Sequence, residues 1–198
     1  GTDLRNGSSD PRDRRTGDVE MMELSLLRSL NAPTKEERLQ TLKTAVATAQ
    51  FPTIDPRMVN NHIHTTYSFS PYSPAAAVYA ARAEGLATCG IVDHDSIGGA
   101  EEFIQAGEIV GIPTTIGIET RVSFAETRLS DRRTNNPDQI GNSYMVLHAV
   151  PHDKISAVQA YFAPLRERRN ARNRKMIARI NALYAQDGVS LDFERDVL

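Results

Sequence analysis

The feature that most restricts this chain is a repeated alternation of short apolar runs with helical patterns from Met58 onward. Residues 58–64 read as a strand, and Ser73-Pro74 carries the N-cap and first-position signature of a helix through Val78 and Ala83 to Gly85. Residues 88–92 form a second apolar strand, and Gly98-Gly99 opens a helix through Phe103 and Ala106 to Gly111. A third strand is predicted over residues 112–118, with residues 121–124 extending it and a polar loop over 131–141. A fourth follows over residues 144–150. The last helical segment begins near Asp153, is expected to break at Pro164, which lacks an amide donor, and resumes from about residue 167 to 186 with Gly188 as its C-cap. Alternation of this kind predicts an α/β fold, and in parallel α/β architectures functional groups converge at the carboxyl ends of strands.

Residues 1–18 mix Asp, Arg, Gly, Ser and Asn with almost no apolar residue, so they are expected to form a disordered tail. Residues 19–56 read as a helical extension. Met21, Met22, Leu24, Leu26, Leu27 and Leu30 make one apolar face, and Thr34 with Glu37 forms a capping-box pattern ahead of Leu39, Leu42, Ala45, Val46 and Ala49. Pro52 and Pro56 are expected to end helical structure before the first strand. Residues 57–152 then hold the strand–helix series, and residues 153–198 read as a helical insertion.

Bulk composition narrows the class. With 198 residues, 40% hydrophobic and 24% charged, the chain is long enough for a real core, and a net charge of -2 gives no global attraction to nucleic acid or anionic membrane. The single cysteine, Cys89, lies in an apolar run, excludes an intrachain disulfide framework and is expected to be a buried, inert thiol. No apolar run approaches the roughly 18 residues of a membrane span. The expectation is a cytoplasmic protein without membrane partners.

Four histidines and several acids lie in short segments at the predicted strand ends: His62-Ile-His64, Asp93-His94-Asp95, Glu119 and His148. Side chains alternate along a strand with period two, so an H-x-H pair presents both imidazoles on one face, where one cation can take both. Neutral imidazoles and carboxylates suit zinc, manganese or iron, and a carboxylate can bridge two ions. His62, His64, His94, Glu119 and His148 are the candidate metal ligands.

The run Asn61-His-Ile-His-Thr-Thr-Tyr-Ser68, then Ser73-Pro74, Ala83-Glu-Gly-Leu86, Gly90-Ile-Val-Asp-His-Asp-Ser96, Gly98-Gly-Ala-Glu-Glu-Phe103 and Gly117-Ile-Glu119 resembles the PHP (polymerase and histidinol phosphatase) domain. The resemblance implies a distorted (β/α)7 barrel whose two or three divalent ions hydrolyse phosphate esters through metal-activated water. By position it implies His62 and His64 as the first ligand pair, His94 as the ligand of the second motif, Glu119 as the bridging carboxylate and His148 as the histidine of the next strand. Asp93 and Asp95 flank a ligand and are the catalytic candidates, orienting imidazoles rather than binding metal directly. Two departures stand out. Many members carry an Asp five residues after the second histidine, where this chain has Phe69. The family's later ligand motifs are expected beyond Leu198, so the barrel is expected to be truncated at its C-terminal side and the insertion to lead into its missing part.

The basic run Arg166, Arg168, Arg169, Arg172, Arg174, Lys175 and Arg179 is read first as a solvated helix face over an apolar stripe of Met176, Ile177, Ile180 and Leu183. Its functional reading is a phosphate-recruiting lid with Arg168, Arg169 and Arg172 as substrate contacts. The substrate is expected to be a small-molecule phosphate ester, with nucleic acid as a further possibility. A non-catalytic PHP-like module that binds metal or a nucleotide is the alternative, favoured by Phe69. An amidohydrolase also begins with H-x-H but uses a lysine further on, and no Lys lies between Lys43 and Lys154.

Overall fold

A computed structural model describes residues 25–136, 138–188 and 190–197. The predicted tail lies outside these residues, and so does the start of the first predicted helix, of which residues 25–29 are helical. The described residues fall into two compact units, drawn from Gly1–Ile91 with Gly99–Thr115 and from Val92–Gly98 with Ile116–Leu198.

In the first unit α1 (Lys35–Thr48) opens with the predicted capping box, Thr34 and Glu37 each satisfying the other's backbone amide. Strand β1 (Asp55–Ile63) lies at the edge of a three-stranded sheet ordered β1-β2-β3, with β2 (Leu86–Ile91) in the middle and β3 (Thr114–Ile116) beyond it. Pairing of β1 with β2 is parallel, with Val59 opposite Thr88 and Ile63 opposite Ile91. β1 starts earlier than predicted and includes Pro56, because an edge strand can turn a missing amide outward. Between β1 and β2, α2 (Pro74–Ala83) is capped by Ser73, whose hydroxyl accepts from the Ala76 amide at 3.0 Å and donates to the Leu30 carbonyl. Helix α3 (Ala100–Val110) follows β2 and ends at Gly111 in the left-handed conformation.

A buried ion pair joins these helices. Glu102, 1% exposed, accepts Nε of Arg38 at 2.9 Å and the Ala75 amide at 3.1 Å. One carboxylate thus links α1, the start of α2 and α3. Leu30, Leu42, Val78, Cys89 and Phe103 are all fully buried in this unit. Gly90 permits the sheet to close up: a Cβ there would lie 2.1 Å from Thr115 Oγ1 and 3.0 Å from Asn61 Cα. Burial pushes the Cys89 thiol up to about 12, as expected for an inert cysteine.

The second unit departs from the expected parallel series. The predicted third strand divides at Gly117 into β3 and β4 (Ile118–Ser123), and β4 pairs antiparallel with β5 (Asn142–Leu147). Glu119 is therefore the second residue of β4, opposite Val146, not the end of a strand. β5 ends earlier than predicted because the ladder stops at Ile118 opposite Leu147, and Ala149 then turns away at φ 57°. His148 falls just past the strand. Helix α4 (Ile155–Leu183) runs unbroken through Pro164, contrary to the expected interruption. The carbonyl that loses its partner belongs to Ala160, which is exposed, so water can satisfy it. The predicted apolar stripe is only partly covered: Ile177 and Ile180 are half-buried, while Met176 is 50% and Leu183 77% exposed. After α4, α5 (Phe193–Asp196) packs back, with the Arg174 guanidinium 4.3 Å from the Phe193 ring centroid and Asn181 bonded to both backbone groups of Leu191.

The architecture is mixed α/β, with a parallel strand pair and covering helices. Among the described residues the strands form two open sheets rather than a closed barrel. No helix among them is long and apolar enough to cross a membrane.

Candidate metal centre

Each unit presents part of the predicted ligand set. In the first, His62 lies near the end of β1 and His64 just beyond it, and their rings meet edge to face with centroids 5.1 Å apart. The period-two spacing does bring the two imidazoles together. His62 is exposed and His64 half-buried. The Ser68 hydroxyl lies 3.4 Å from His64 Nδ1, and the Phe69 ring stacks at a tilt on the His64 ring at 4.7 Å. Phe69, at the position where the family resemblance implies an Asp, is itself 71% exposed. It is a surface aromatic against an imidazole and not a core residue.

In the second unit backbone pairing sets the geometry. His94 and Glu119 form an isolated parallel bridge in which the Asp95 amide donates to the Glu119 carbonyl at 2.8 Å and the Glu119 amide to the Asp93 carbonyl at 3.1 Å. Their side chains follow, with His94 Nδ1 3.8 Å from Glu119 Oε2. Two ligands each about 2.1 Å from a single cation cannot be more than about 4.2 Å apart, so an imidazole and a carboxylate at this separation fit one divalent ion. Asp93 is 1% exposed. Asp95 has φ 54°, and its carboxylate accepts the Thr120 hydroxyl at 2.7 Å on one oxygen and Arg169 Nη1 at 3.0 Å on the other. The same Arg169 nitrogen donates to the His94 carbonyl at 3.1 Å. His148 is exposed beyond β5.

Arg168, Arg169 and Arg172 line one cavity of about 330 Å³ with Asp95, Arg121, Ser123, Asn142 and Leu165. The sequence reading missed Thr120 and Arg121. Arg121 stands opposite Tyr144 in the β4–β5 ladder and donates to its hydroxyl at 2.8 Å, while the Tyr144 ring lies 5.4 Å from His94. The available signal was the period-two spacing of Glu119 and Arg121, which puts both on one face of a strand. Tyr144 is half-buried beside His94.

The PHP domain's sequence profile matches residues 60–185, most of the chain and nearly all of the segment that carries these groups. The chain belongs to the PHP domain family. No curated protein matches it. Among solved structures it is similar to an amidohydrolase from Chromobacterium violaceum with bound sulfate, at 26% identity and a TM-score of 0.51 over 69% of this chain and 41% of that one. It is also similar to a proposed metal-dependent phosphoesterase from Bifidobacterium adolescentis, at 24% identity and a TM-score of 0.48 over 64% of this chain and 40% of that one. This PHP chain therefore spans about two-fifths of the length of either.

Proposed function

We propose that the complete protein hydrolyses a phosphate ester, a monoester or a diester, with divalent ions of zinc, manganese or iron, two or three per site. The observation that carries this reading is the His94–Glu119 pair: an imidazole nitrogen and a carboxylate oxygen 3.8 Å apart, fixed by a backbone bridge within a PHP domain. His62 and His64 from the first unit and His94, Glu119 and His148 from the second are the proposed ligands. Ions so held supply Lewis acidity toward the phosphoryl oxygens and lower the pKa of water. Asp93 and Asp95 orient the His94 segment, and Arg168, Arg169 and Arg172 form the cationic wall that captures the substrate's anionic group. In the whole protein the strands belong to a distorted (β/α)7 barrel, with residues 57–152 as barrel and 153–198 as an insertion. The substrate is a small molecule and the compartment the cytoplasm.

Phe69 favours a second reading, a non-catalytic module that binds metal or a nucleotide, because an aromatic ring lies on His64 at the position where the resemblance implies an anionic ligand. One experiment separates the two. Purified without chelator, the complete protein should carry zinc, manganese or iron by elemental analysis, and a combined His62→Ala, His64→Ala variant should lose much of it. The native protein should also hydrolyse p-nitrophenyl phosphate or its diester, with loss on chelation. Metal without hydrolysis of either ester selects the binding module, and unchanged metal content in the double variant refutes the ligand assignment.

A further inference from the structure

Arg169 lies on α4 beside Arg168 and Arg172, yet its hydrogen bonds go to the protein. One nitrogen, Nη1, donates both to the backbone carbonyl of His94 at 3.1 Å and to Asp95 Oδ2 at 3.0 Å, across 75 and 74 residues of sequence. Asp95 needs such support. Its φ of 54° lies in the left-handed region, which Asp enters more readily than most L-residues but which is held most firmly where the surroundings over-determine it. Here the surroundings are complete: the Asp95 amide donates to Glu119, Oδ1 accepts Thr120 and Oδ2 accepts Arg169. An exposed ion pair would be worth little. This one differs because the Asp95 side chain is only 16% exposed and because the guanidinium also holds a main-chain carbonyl of the residue preceding Asp95.

We infer that Arg169 is a positioning residue, fixing the turn that carries His94 by binding the His94 carbonyl and the Asp95 carboxylate together. This rests on the metal reading above for its purpose but not for its existence as a tether. Groups that orient metal ligands commonly change metal affinity without touching the ion. Arg169 thus has a duty that Arg168 and Arg172 do not share, although all three line the same cavity.

The test uses amide exchange on the metal-free chain and Co²⁺ titration of the same samples. Arg169→Met should speed exchange at the Asp95 and Glu119 amides by about tenfold or more, the size expected when charge-assisted bonds are lost from a local structure. It should weaken Co²⁺ binding by roughly tenfold. Arg169→Lys should keep most of both, because one nitrogen makes both bonds and an ammonium can do the same, and Arg179→Met on the same helix should change neither. Where Arg169→Met fails to fold, Asp95→Asn keeps a residue tolerant of positive φ while removing the ionic partner. Unchanged protection overturns the tether, and equal losses in the Lys and Met variants overturn its hydrogen-bond origin. Faster exchange with unaltered Co²⁺ affinity overturns the positioning role. A native chain that takes up no Co²⁺ refutes the metal reading instead, and amide exchange alone then decides the tether.

Discussion

The two units hold their ligands in opposite ways. In the first, a helical scaffold lies behind ligands on an edge strand: β1 is exposed along most of its length, and the His64 ring meets those of Phe69 and His62. In the second, the ligands are part of the hydrogen-bonded frame. Backbone bonds run both ways between the His94 turn and Glu119, and Asp95 is anchored at three atoms. Stability and ligand geometry are therefore separable in the first unit and merged in the second. A substitution in the scaffold of one should unfold it, whereas a substitution beside the ligands of the other should disturb the site directly.

The largest break in this comparison is predicted at Arg38. Removing it leaves the buried Glu102 carboxyl without its guanidinium partner, which typically costs about 3–5 kcal/mol. Arg38→Ala should accordingly shift urea unfolding of the first unit by that amount, and a loss below about 1 kcal/mol would mean that the pair does not anchor α1.

A smaller contrast comes from two hydroxyls, each next to a ligand-bearing segment. The Thr120 hydroxyl bonds a carboxylate at 2.7 Å, whereas the Ser68 hydroxyl is 3.4 Å from an imidazole. Bonds to charged groups contribute roughly 1.5–3 kcal/mol and long ones much less. Thr120→Val should then cost about 1–2 kcal/mol after allowance for the partial exposure of Asp95, and Ser68→Ala under about 0.5 kcal/mol. Denaturant titration of both variants checks the order; equal costs would erase the distinction between the units.

Next in size is the cationic wall. Arg168→Met with Arg172→Met should raise KM by roughly tenfold at low salt with kcat little altered, since both act on capture rather than on the chemical step. The increase should shrink at high salt. Equal falls in kcat and kcat/KM would move these arginines into the transition state.

What the sequence made legible was local. The Thr34–Glu37 and Ser73–Pro74 caps, the burial of Cys89 and the facing of His62 and His64 all depend on residues within a turn or a strand of one another. The division at Gly117, the reversal of β5 against β4 and the passage of α4 through Pro164 depended on which strand pairs with which and on where water reaches. Neither is written in periodicity. The same limit applied to the site. His94 and Glu119 were found as strand-end residues, but the bond from Arg169 to Asp95 joins positions 74 residues apart, and no local pattern announces it.

Position 69 offers the finest test of the comparison, because it asks whether the ligand pair of the first unit can be strengthened. Phe69 is 71% exposed, so replacing it should change stability by no more than about 0.5 kcal/mol, the usual range for surface sites. Its ring lies on the His64 imidazole at 4.7 Å, so a side chain at this position is directed toward a proposed ligand. Phe69→Asp places a hard anionic oxygen donor there in exchange for an apolar ring. The expected result is metal affinity raised by roughly threefold to tenfold, measured by competition with a chromophoric chelator, because a carboxylate adds a hard anionic donor to a set that in this unit consists of imidazoles. A folded Phe69→Asp variant with no gain in affinity would show that position 69 is not a ligand position in this chain, and the alignment of Phe69 with the family's Asp would have to be abandoned.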